Sequence, residues 1–401
     1  MSTAVRFIPQ ATHRPVRDPT SAGRISAQQP LRRQDWNGRT PQEILASYRP
    51  GKADPLKVLE VLVELFNTRH TALEKTVSHK TRQERARFLR RFFAHLQCKA
   101  GFRQVPDPRN LGQKHIHAMV QVWQREKLAP ATIQTYLSFL RGLGSWIGKH
   151  GFVRKPEQYG LSLDEYQRHE YAQRDKSWAA KGIDVQAVLA EVAKFDPRVA
   201  ASMRLMNELG LRRKESVMHR PYAHVVPFDQ TRLPEDKKLA DEYVSAKGKG
   251  GRVRWIALQT EAQRAAVAHA RSLVDGRDAH MGNPAHPLKR NLRRLDYALE
   301  KFGLTKAERG VTGHGLRHGN FHELYEDVTG EPPPVCGGGL VPAELDRAAR
   351  LAVSARAGHS RLRAAGAYLG AIRNAPVPRN AQPGPAVGPK PHDDDAAPRD
   401  D

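Results

Sequence analysis

Apolar residues recur at helical spacing between residues 55 and 151. The pattern runs through four successive segments, whose apolar positions are Leu59, Val63 and Phe66; Phe88, Phe92 and Leu96; Ile116, Val120 and Trp123; and Ile133, Leu137, Leu140 and Ile147. Thr81 with Glu84 predicts a capping box for the second segment, and Pro130 suits the first turn of the fourth. We therefore predict a helical domain over residues 53–151, with the aromatic side chains in its core.

A second pattern occupies residues 183–373, where helical stretches alternate with one hairpin. The segments Glu242–Ser245 and Val253–Leu258 flank a turn that contains Gly248, Gly250 and Gly251. The predicted fold class is therefore mainly α with a small β-hairpin or sheet, in which a helical domain precedes a mixed α+β domain.

Three polar segments flank or separate these domains. Residues 1–52 lack sustained periodicity and predict a basic, flexible N-terminal arm, whose arginines either contact phosphates or are simply solvated. Residues 152–182 predict a linker with a short helix. Residues 374–401 are rich in Pro and Ala, end in several aspartates, and predict a disordered tail.

The charge balance favours a polyanionic partner. The 401 residues include 66 Lys and Arg against 42 Asp and Glu, a formal net charge of +24. Such a surface attracts nucleic acid by counterion release, although it is also compatible with a merely soluble basic protein. In the helical domain we expect a positive face formed by Arg82, Arg85, Arg90, Arg91, Lys114, Arg125, Lys127, Arg141 and Lys149.

Cysteine content and hydropathy exclude other classes. The two cysteines, Cys98 and Cys336, lie in unrelated segments and form neither a disulfide framework nor a zinc ribbon. No apolar run approaches the roughly 20 residues that span a bilayer, and the N-terminus has no signal-peptide core. These features predict a cytoplasmic, nucleoid-associated protein without a membrane partner.

The candidate chemistry lies in the second half of the chain. Four short segments, Gly210–Glu215, Lys247–Arg252, His314–His318 and Gly358–Ser360 with the tyrosine that follows, contain residue types suited to phosphodiester cleavage. The candidate catalytic residues are Arg212, Lys249, His314, Arg317, His359 and Tyr368. Displacing an alkoxide from a phosphodiester requires a nucleophile, positive charge at the non-bridging oxygens and a proton for the leaving oxygen.

These segments, in this order, resemble the motifs of the tyrosine recombinase (phage integrase) family. The resemblance implies a SAM-like core-binding domain over 53–151 and a catalytic domain over 183–373. It also implies a site-specific recombinase that acts through a 3′-phosphotyrosyl intermediate, without ATP, metal or another cofactor. The expected partners are double-stranded attachment-site DNA, a homotetramer on that DNA and possible DNA-bending accessory proteins. The expected role is integration or excision of a mobile element.

The resemblance also assigns roles to residues. Tyr368 is the nucleophile, Arg212 and Arg317 clamp the scissile phosphate, and Lys249, in preference to Lys247, is the general acid. His314 exchanges a proton with the tyrosine, and His359 completes the site. From the residues themselves we expect Glu215 to support Arg212 and Thr312 to cap the helix of His314. We also expect a helix break near Gly366, because nine residues of continuous helix would place His359 and Tyr368 on opposite faces.

Several alternatives stay open. A type IB topoisomerase uses similar motifs, and a relative that has lost catalysis would still bind DNA. His314, His318 and His322 recur every four residues and could form a metal-binding stripe. The interval between His314 and His359 is also longer than the family's, with the excess around the Pro/Gly segment Glu331–Gly339. That segment is not expected to be helical, and it either contacts DNA or a partner subunit or is inert.

Overall fold

The computed structural model describes residues 38–70, 76–248, 251–359 and 361–372, which fall into two compact units with a boundary between His169 and Glu170. The tail predicted at 374–401 and the arm up to residue 37 lie outside the described residues. None of the helices described is long and apolar enough to cross a membrane.

The first unit is helical, as predicted. Its helices are α1 (Pro41–Ala46), α2 (Pro55–Phe66), α3 (His79–Cys98), α4 (Gln113–Arg125), α5 (Pro130–Trp146) and α6 (Leu163–Tyr166). Helix α2 begins where the Asp54 side chain accepts the Leu56 N–H and Pro55 takes the first helical position.

Two helix starts differ from the sequence prediction. Ser78, not Thr81, caps α3, because the Ser78 side chain accepts the N–H of Thr81. Helix α1 lies inside the segment predicted as an arm, where Thr40 and Glu43 form a reciprocal capping box and Ile44 is buried. Six residues are too few for helical periodicity to stand out in a polar segment, so the sequence pattern missed this helix.

The core of the first unit contains the predicted aromatic residues. Phe88, Phe92 and Trp123 are buried, and the ring of Phe88 stacks on Tyr136 with the centroids 4.3 Å apart. Arg85 is also buried, one turn from Phe88, and donates to the backbone carbonyls of Asn67 and Arg69. Arg85 therefore does not belong to the predicted DNA-facing surface.

The segment predicted as a linker is folded into the two units at its ends. Tyr159 and Leu161 are buried in the core of the first unit, and Trp178 is buried in the core of the second. The indole N–H of Trp178 donates to the carbonyl oxygen of Thr312 at 2.9 Å. Composition alone did not reveal these anchoring side chains because each is isolated among polar neighbours.

The second unit combines helices with a three-stranded antiparallel sheet, so the predicted fold class is confirmed. Its helices are α7 (Val185–Phe195), α8 (Pro197–Leu209), α9 (Arg213–Val217), α10 (Glu261–Ser272), α11 (Leu288–Lys301), α12 (His314–Thr329), α13 (Ala343–Ala357) and α14 (Gly366–Leu369). The strands, in spatial order, are β1 (Val225–Pro227), β2 (Glu242–Lys247) and β3 (Val253–Ala257). The β2–β3 hairpin matches the prediction, whereas the three-residue β1 was not predicted.

Helix α8 organises the second unit. Its Met203 and Met206 pack with α11 and α12 residues, while Leu205 and Leu209 pack against the sheet and α10. A third cluster joins α12, α13 and α14 through Phe321, Val353, Tyr368 and their neighbours. Helices α12 and α14 of this cluster carry the candidate residues His314, Arg317 and Tyr368.

Candidate active site

A glycine at the end of α8 directs the chain toward the site. Gly210 has a φ of +60°, and a Cβ at this position would come within 2.8 Å of both Asn320 Oδ1 and Phe321 Cε1. Glycine alone accepts this conformation and this approach without strain. The turn places Arg212 at the N-cap of α9, with its side chain partly exposed.

Glu215 links two arginines of the site. It accepts the Arg212 backbone N–H and the Arg212 Nη1, both at 2.8 Å, which is the support predicted from the sequence. Arg254 on β3 binds both carboxylate oxygens, with Nη1 at 3.0 Å and Nη2 at 2.7 Å. Burial raises the pKa of Glu215, but the bonds and charges of Arg254 and Arg212 outweigh it and lower the pKa to about 2.

This pairing predicts a pH-dependent stability. Glu215→Gln removes the charge but keeps the shape, and we expect it to lower the free energy of unfolding by about 1.5–3 kcal/mol near neutral pH. A carboxylate whose pKa falls from 4.5 to about 2 on folding stabilises the protein above pH 4.5 and loses this effect as the pH falls toward 2. The difference in melting temperature between wild type and variant should be smaller at pH 3 than at pH 7. An equal difference in melting temperature at both pH values would exclude this role for the Glu215 charge.

Arg317 is the buried centre of the site. It lies in the first turn of α12 with no exposed surface, donating from Nη2 to Ala357 O at 2.8 Å and from Nη1 to Gly210 O. The predicted Thr312 cap is wrong: Gly313 is the N-cap, and the Thr312 carbonyl accepts the N–H of Gly315 instead. The backbone therefore starts this helix without a side-chain cap.

Three arginines donate to carbonyl oxygens at the C-terminal end of α13. Arg212 Nη2 and Arg317 Nη2 both donate to Ala357 O, at 2.7 and 2.8 Å, and Arg254 Nε donates to Arg356 O at 2.7 Å. Terminal helix carbonyls lack partners within the helix and carry the negative end of its dipole, so they suit cations. Among the described residues, Glu215 is the carboxylate that pairs with Arg212 and Arg254, and Arg317 pairs with none. The local excess of positive charge suits a phosphate.

The Tyr368 hydroxyl lies next to these arginines. Its oxygen is 3.3 Å from Arg317 Nε, and its ring packs edge-on against Phe321 with the centroids 4.6 Å apart. Tyr368 is 7% exposed, and its ring centroid lies 5.6 Å from Arg317 Cζ. The predicted nucleophile and one of its predicted phosphate ligands are therefore in direct contact.

Histidines border the tyrosine on one side. The ring centroids of His314 and His318 lie 6.0 and 5.0 Å from that of Tyr368. Desolvation by surrounding protein atoms, followed by the charges of Arg317 and Arg212, lowers the pKa of His314 to about 4, although the residue is exposed at the surface. Desolvation lowers the pKa of His318 to about 3. Both rings are therefore neutral near pH 7 and available to accept a proton.

His359 follows the end of α13 and is exposed. Its backbone N–H donates to Ser354 O at 2.9 Å. The residue before it, Gly358, is the C-cap of α13 and has the left-handed conformation. Desolvation by neighbouring protein atoms, followed by the charges of Arg212, Arg317 and Arg254, lowers its pKa.

The predicted helix break near Gly366 lies elsewhere. Helix α13 ends at Ala357, a 3₁₀ turn spans Leu362–Ala365, and α14 begins at Gly366. Gly366 has another role: a Cβ there would lie 2.4 Å from the ring of Tyr171. The glycine permits this close approach rather than a change of chain direction.

Lys249 and Gly250, which stand between β2 and β3 in the sequence, lie outside the described residues. The adjoining residue is close to the arginines, since a Cβ on Gly248 would lie 3.6 Å from Arg212 Nη1. The end of β2 that leads into the turn therefore lies at the site. The general-acid role of Lys249 remains a prediction.

His314, His318 and His322 do not together form a metal-binding group. Neighbouring ring centroids are 5.3 Å apart for His314 and His318 and 6.0 Å apart for His318 and His322. Within the described ranges, the group of side chains with metal-ligand spacing takes only His322 from the stripe, together with Asp175 and Cys336. The predicted non-helical segment 331–339 also contains a 3₁₀ turn, Pro334–Cys336, and this turn supplies the cysteine.

A buried network behind the tyrosine was not predicted. Arg350 Nε binds both oxygens of Asp346 at 2.9 Å, and Tyr325 donates to Asp346 at 2.8 Å. The same guanidinium donates to the carbonyls of Gly370 and Ala371, each at 3.1 Å. This network anchors the chain directly after Tyr368. The i,i+4 spacing of Asp346 and Arg350 indicated a pair, but its burial depends on contacts distant in sequence.

Two family profiles match the chain. The profile described as phage integrase, N-terminal, matches residues 66–153, and the profile described as integrase matches residues 171–319. Together they span more than half of the chain. No curated protein sequence matches it.

Solved structures of recombinases are similar to the chain. XerH site-specific recombinase bound to palindromic difH substrate has 17% identity, covering 82% of this chain and 89% of that chain, with a TM-score of 0.42. A lambda integrase tetramer bound to a Holliday junction has 15% identity, covering 78% and 74%, with a TM-score of 0.42. The Tn1549 transposon integrase with circular intermediate DNA has 15% identity, covering 74% and 91%, with a TM-score of 0.42.

The two matched profiles follow the order of the two folded units, and the integrase profile includes Arg212, His314 and Arg317. The chain belongs to the tyrosine recombinase (phage integrase) family and is a tyrosine-type site-specific recombinase.

Proposed function

We propose that this recombinase cleaves and rejoins DNA through a 3′-phosphotyrosyl intermediate on Tyr368. The observation that carries the proposal is the 3.3 Å contact between Tyr368 Oη and Arg317 Nε, beside an arginine cluster with excess positive charge. A hydroxyl next to a phosphate-binding site is placed to attack the phosphorus.

The arginines differ in how they reach the phosphate. Arg212 is partly exposed and can receive a non-bridging oxygen directly, whereas Arg317 is buried and its Nε contacts the Tyr368 hydroxyl. We infer that the phosphate replaces the tyrosine hydroxyl on Arg317 Nε as DNA binds. This exchange breaks the contact between the Tyr368 hydroxyl and Arg317 Nε, and it leaves the hydroxyl oxygen next to the phosphorus. Arg317 thus holds the nucleophile before DNA arrives and holds the phosphate afterwards.

Proton transfer accompanies the attack. As the Tyr368 oxygen bonds to phosphorus, its proton passes to a neutral histidine, His314 or His318. The bond from phosphorus to the 5′ oxygen breaks, and that oxygen receives a proton from Lys249. The reverse sequence, with a 5′-hydroxyl from the partner duplex as attacking group, rejoins the strand. The energy of the phosphodiester is conserved in the covalent link.

The role of Lys249 predicts a selective rescue. Lys249→Ala should slow cleavage of an ordinary duplex by about 10²–10⁴-fold, because the leaving oxygen loses its proton donor. A substrate with a 5′-bridging sulfur has a leaving group that needs no proton, so most of the defect should disappear. Arg212→Ala should show the same defect on both substrates. Equal defects for Lys249→Ala on both substrates would assign the proton to another residue.

We further propose that the protein integrates or excises a mobile element, with attachment-site duplexes as its substrates. Recombination of two duplexes requires four nucleophiles, so the proposed active form is a tetramer on DNA. The net charge of +24 favours loading on DNA and opposes association of free protomers. We expect monomers in solution and assembly on site-containing DNA.

Trapping tests the proposed chemistry. A duplex with a nick close to the cleavage position loses a short fragment after attack, so the enzyme cannot rejoin the strand. Incubation with such DNA should give a covalent protein–DNA adduct that survives denaturation. Absence of an adduct on a duplex that the protein binds specifically would favour a relative that binds DNA without cleaving it.

A further inference from the structure

Three side chains from separate segments meet behind Tyr368. Cys336 Sγ lies 3.3 Å from Asp175 Oδ2 and 3.4 Å from His322 Nδ1, and His322 Nδ1 lies 3.6 Å from Asp175 Oδ1. His322 is buried on α12, Asp175 precedes the buried Trp178, and Cys336 comes from the Pro/Gly segment. Thiol, imidazole and carboxylate are the ligand types that zinc prefers.

The spacing of the ligand atoms is close to that around a tetrahedral ion. Zinc bonds are about 2.3 Å to sulfur and about 2.0–2.2 Å to nitrogen and oxygen, so tetrahedral ligand atoms lie about 3.3–3.7 Å apart. Cys336 Sγ and His322 Nδ1 are 3.4 Å apart, and each lies close to one oxygen of Asp175, the sulfur 3.3 Å from Oδ2 and the nitrogen 3.6 Å from Oδ1. One ligand atom from each residue lies within 4.8 Å of the other two.

The second nitrogen of His322 contacts the nucleophile's own backbone. His322 Nε2 lies 3.0 Å from the carbonyl oxygen of Tyr368. A metal on Nδ1 fixes the tautomer with the proton on Nε2, which then donates to this carbonyl. A metal-bound histidine commonly donates its other N–H to a carbonyl or carboxylate, and that bond orients the ring. Here the bond would also hold the residue that carries the reactive hydroxyl.

The segment that supplies Cys336 packs against the chain after Tyr368. A Cβ on Gly370 would come within 3.1 Å of Val335 Cβ and of the Val335 backbone nitrogen. The backbone N–H of Ser177 donates to Asp175 Oδ1 at 2.6 Å and fixes the carboxylate. An ion between these ligands would therefore fasten two segments to α12 beside the nucleophile.

We propose that Asp175, His322 and Cys336 bind a zinc ion that positions Tyr368. The ion has three protein ligands and a fourth position for water, and binding releases the thiol proton of Cys336. It lies on the backbone side of the tyrosine, away from the hydroxyl, and does not take part in phosphoryl transfer. The Pro/Gly segment thereby gains a function as the carrier of a metal ligand. The positioning role rests on the proposed function of Tyr368, whereas metal binding does not.

Cobalt titration tests the binding site without DNA. The purified full chain is stripped of metal with a chelator and titrated with Co²⁺, which occupies zinc sites and absorbs through a charge-transfer band when a thiolate is bound. We expect saturation at a single equivalent with this band, and its loss on addition of Zn²⁺. Cys336→Ser and Asp175→Asn should lose the band, while Cys98→Ser, which alters the exposed cysteine of the first unit, should keep it.

Two outcomes overturn metal binding: absence of the band in the wild type, or its persistence in Cys336→Ser. Circular dichroism of Cys336→Ser should match the wild type, so loss of the band cannot arise from unfolding. Tyr368→Phe should bind Co²⁺ as the wild type does, so an error in the nucleophile would leave this result unchanged.

The positioning role has its own readout. Chelation should slow adduct formation several-fold in the wild type and in Cys98→Ser, and added Zn²⁺ should restore the rate. Cys336→Ser should be equally slow with and without Zn²⁺. An unchanged wild-type rate after chelation, with Co²⁺ binding intact, would overturn the positioning role.

Discussion

Replacement of Tyr368 with phenylalanine is expected to abolish covalent adduct formation and leave DNA affinity nearly unchanged. The variant lacks the oxygen that bonds to phosphorus, while the ring that packs edge-on against Phe321 remains. No charge is lost, so the attraction between the protein and the phosphate backbone is preserved. Adduct yield on a nicked duplex and affinity for an intact duplex should be measured together. Loss of affinity comparable to the loss of cleavage would indicate a binding defect.

A matched tyrosine controls for the substitution itself. Tyr297 lies on α11 in the same unit and is exposed. Tyr297→Phe should form the adduct at the wild-type rate. If Tyr368→Phe still forms the adduct, the nucleophile has been assigned to the wrong residue.

Replacement of Arg212 with alanine should slow cleavage by about 10²–10³-fold, the effect of removing one preorganised donor from a developing oxyanion. Arg213→Ala removes the same charge one residue away, from a side chain that pairs with Asp296 on α11. Single-turnover cleavage at saturating enzyme separates the chemical step from DNA binding. Similar rates for both variants would show that net charge, and not the position of Arg212, sets the rate.

Arg212→Lys refines this prediction. A lysine keeps the charge but cannot contact Glu215, Ala357 O and a phosphate through one planar fork, so only part of the rate should return. Full recovery would reduce the role of Arg212 to that of a point charge. Arg317 is a less clean test, because its buried guanidinium also joins Gly210 and Ala357. Any Arg317 variant therefore requires a parallel measurement of unfolding.

The sequence predicted the helical framework because apolar spacing survives in long amphipathic helices. It missed α1 and β1, which are too short for periodicity, and it placed Arg85 on the surface although that helix position faces the core. It also treated Trp178 as part of a linker. Single anchoring residues of this kind become visible only when the elements that cover them are in place.

The candidate site was predictable where residues recur in short motifs. Short motifs singled out Arg212, His314, Arg317, His359 and Tyr368 as candidate catalytic residues. The structure places Arg212 and Arg317 on the last carbonyl of α13 and Tyr368 on Arg317, and the catalytic roles remain predictions. The supporting groups were not predictable. Arg254, Arg350 and Cys336 each contact a residue 20 to 161 positions away, Glu215, Gly370 and Asp175 respectively, and no local pattern marks such contacts.

The most direct test of the central claim is to identify the residue that carries the DNA. The trapped adduct is digested with nuclease and protease, and the peptide that retains a nucleotide is sequenced by mass spectrometry. The account predicts one modified peptide, with the nucleotide joined through its 3′ phosphate to the oxygen of Tyr368. Attachment to any other residue, or through a 5′ phosphate, would contradict it.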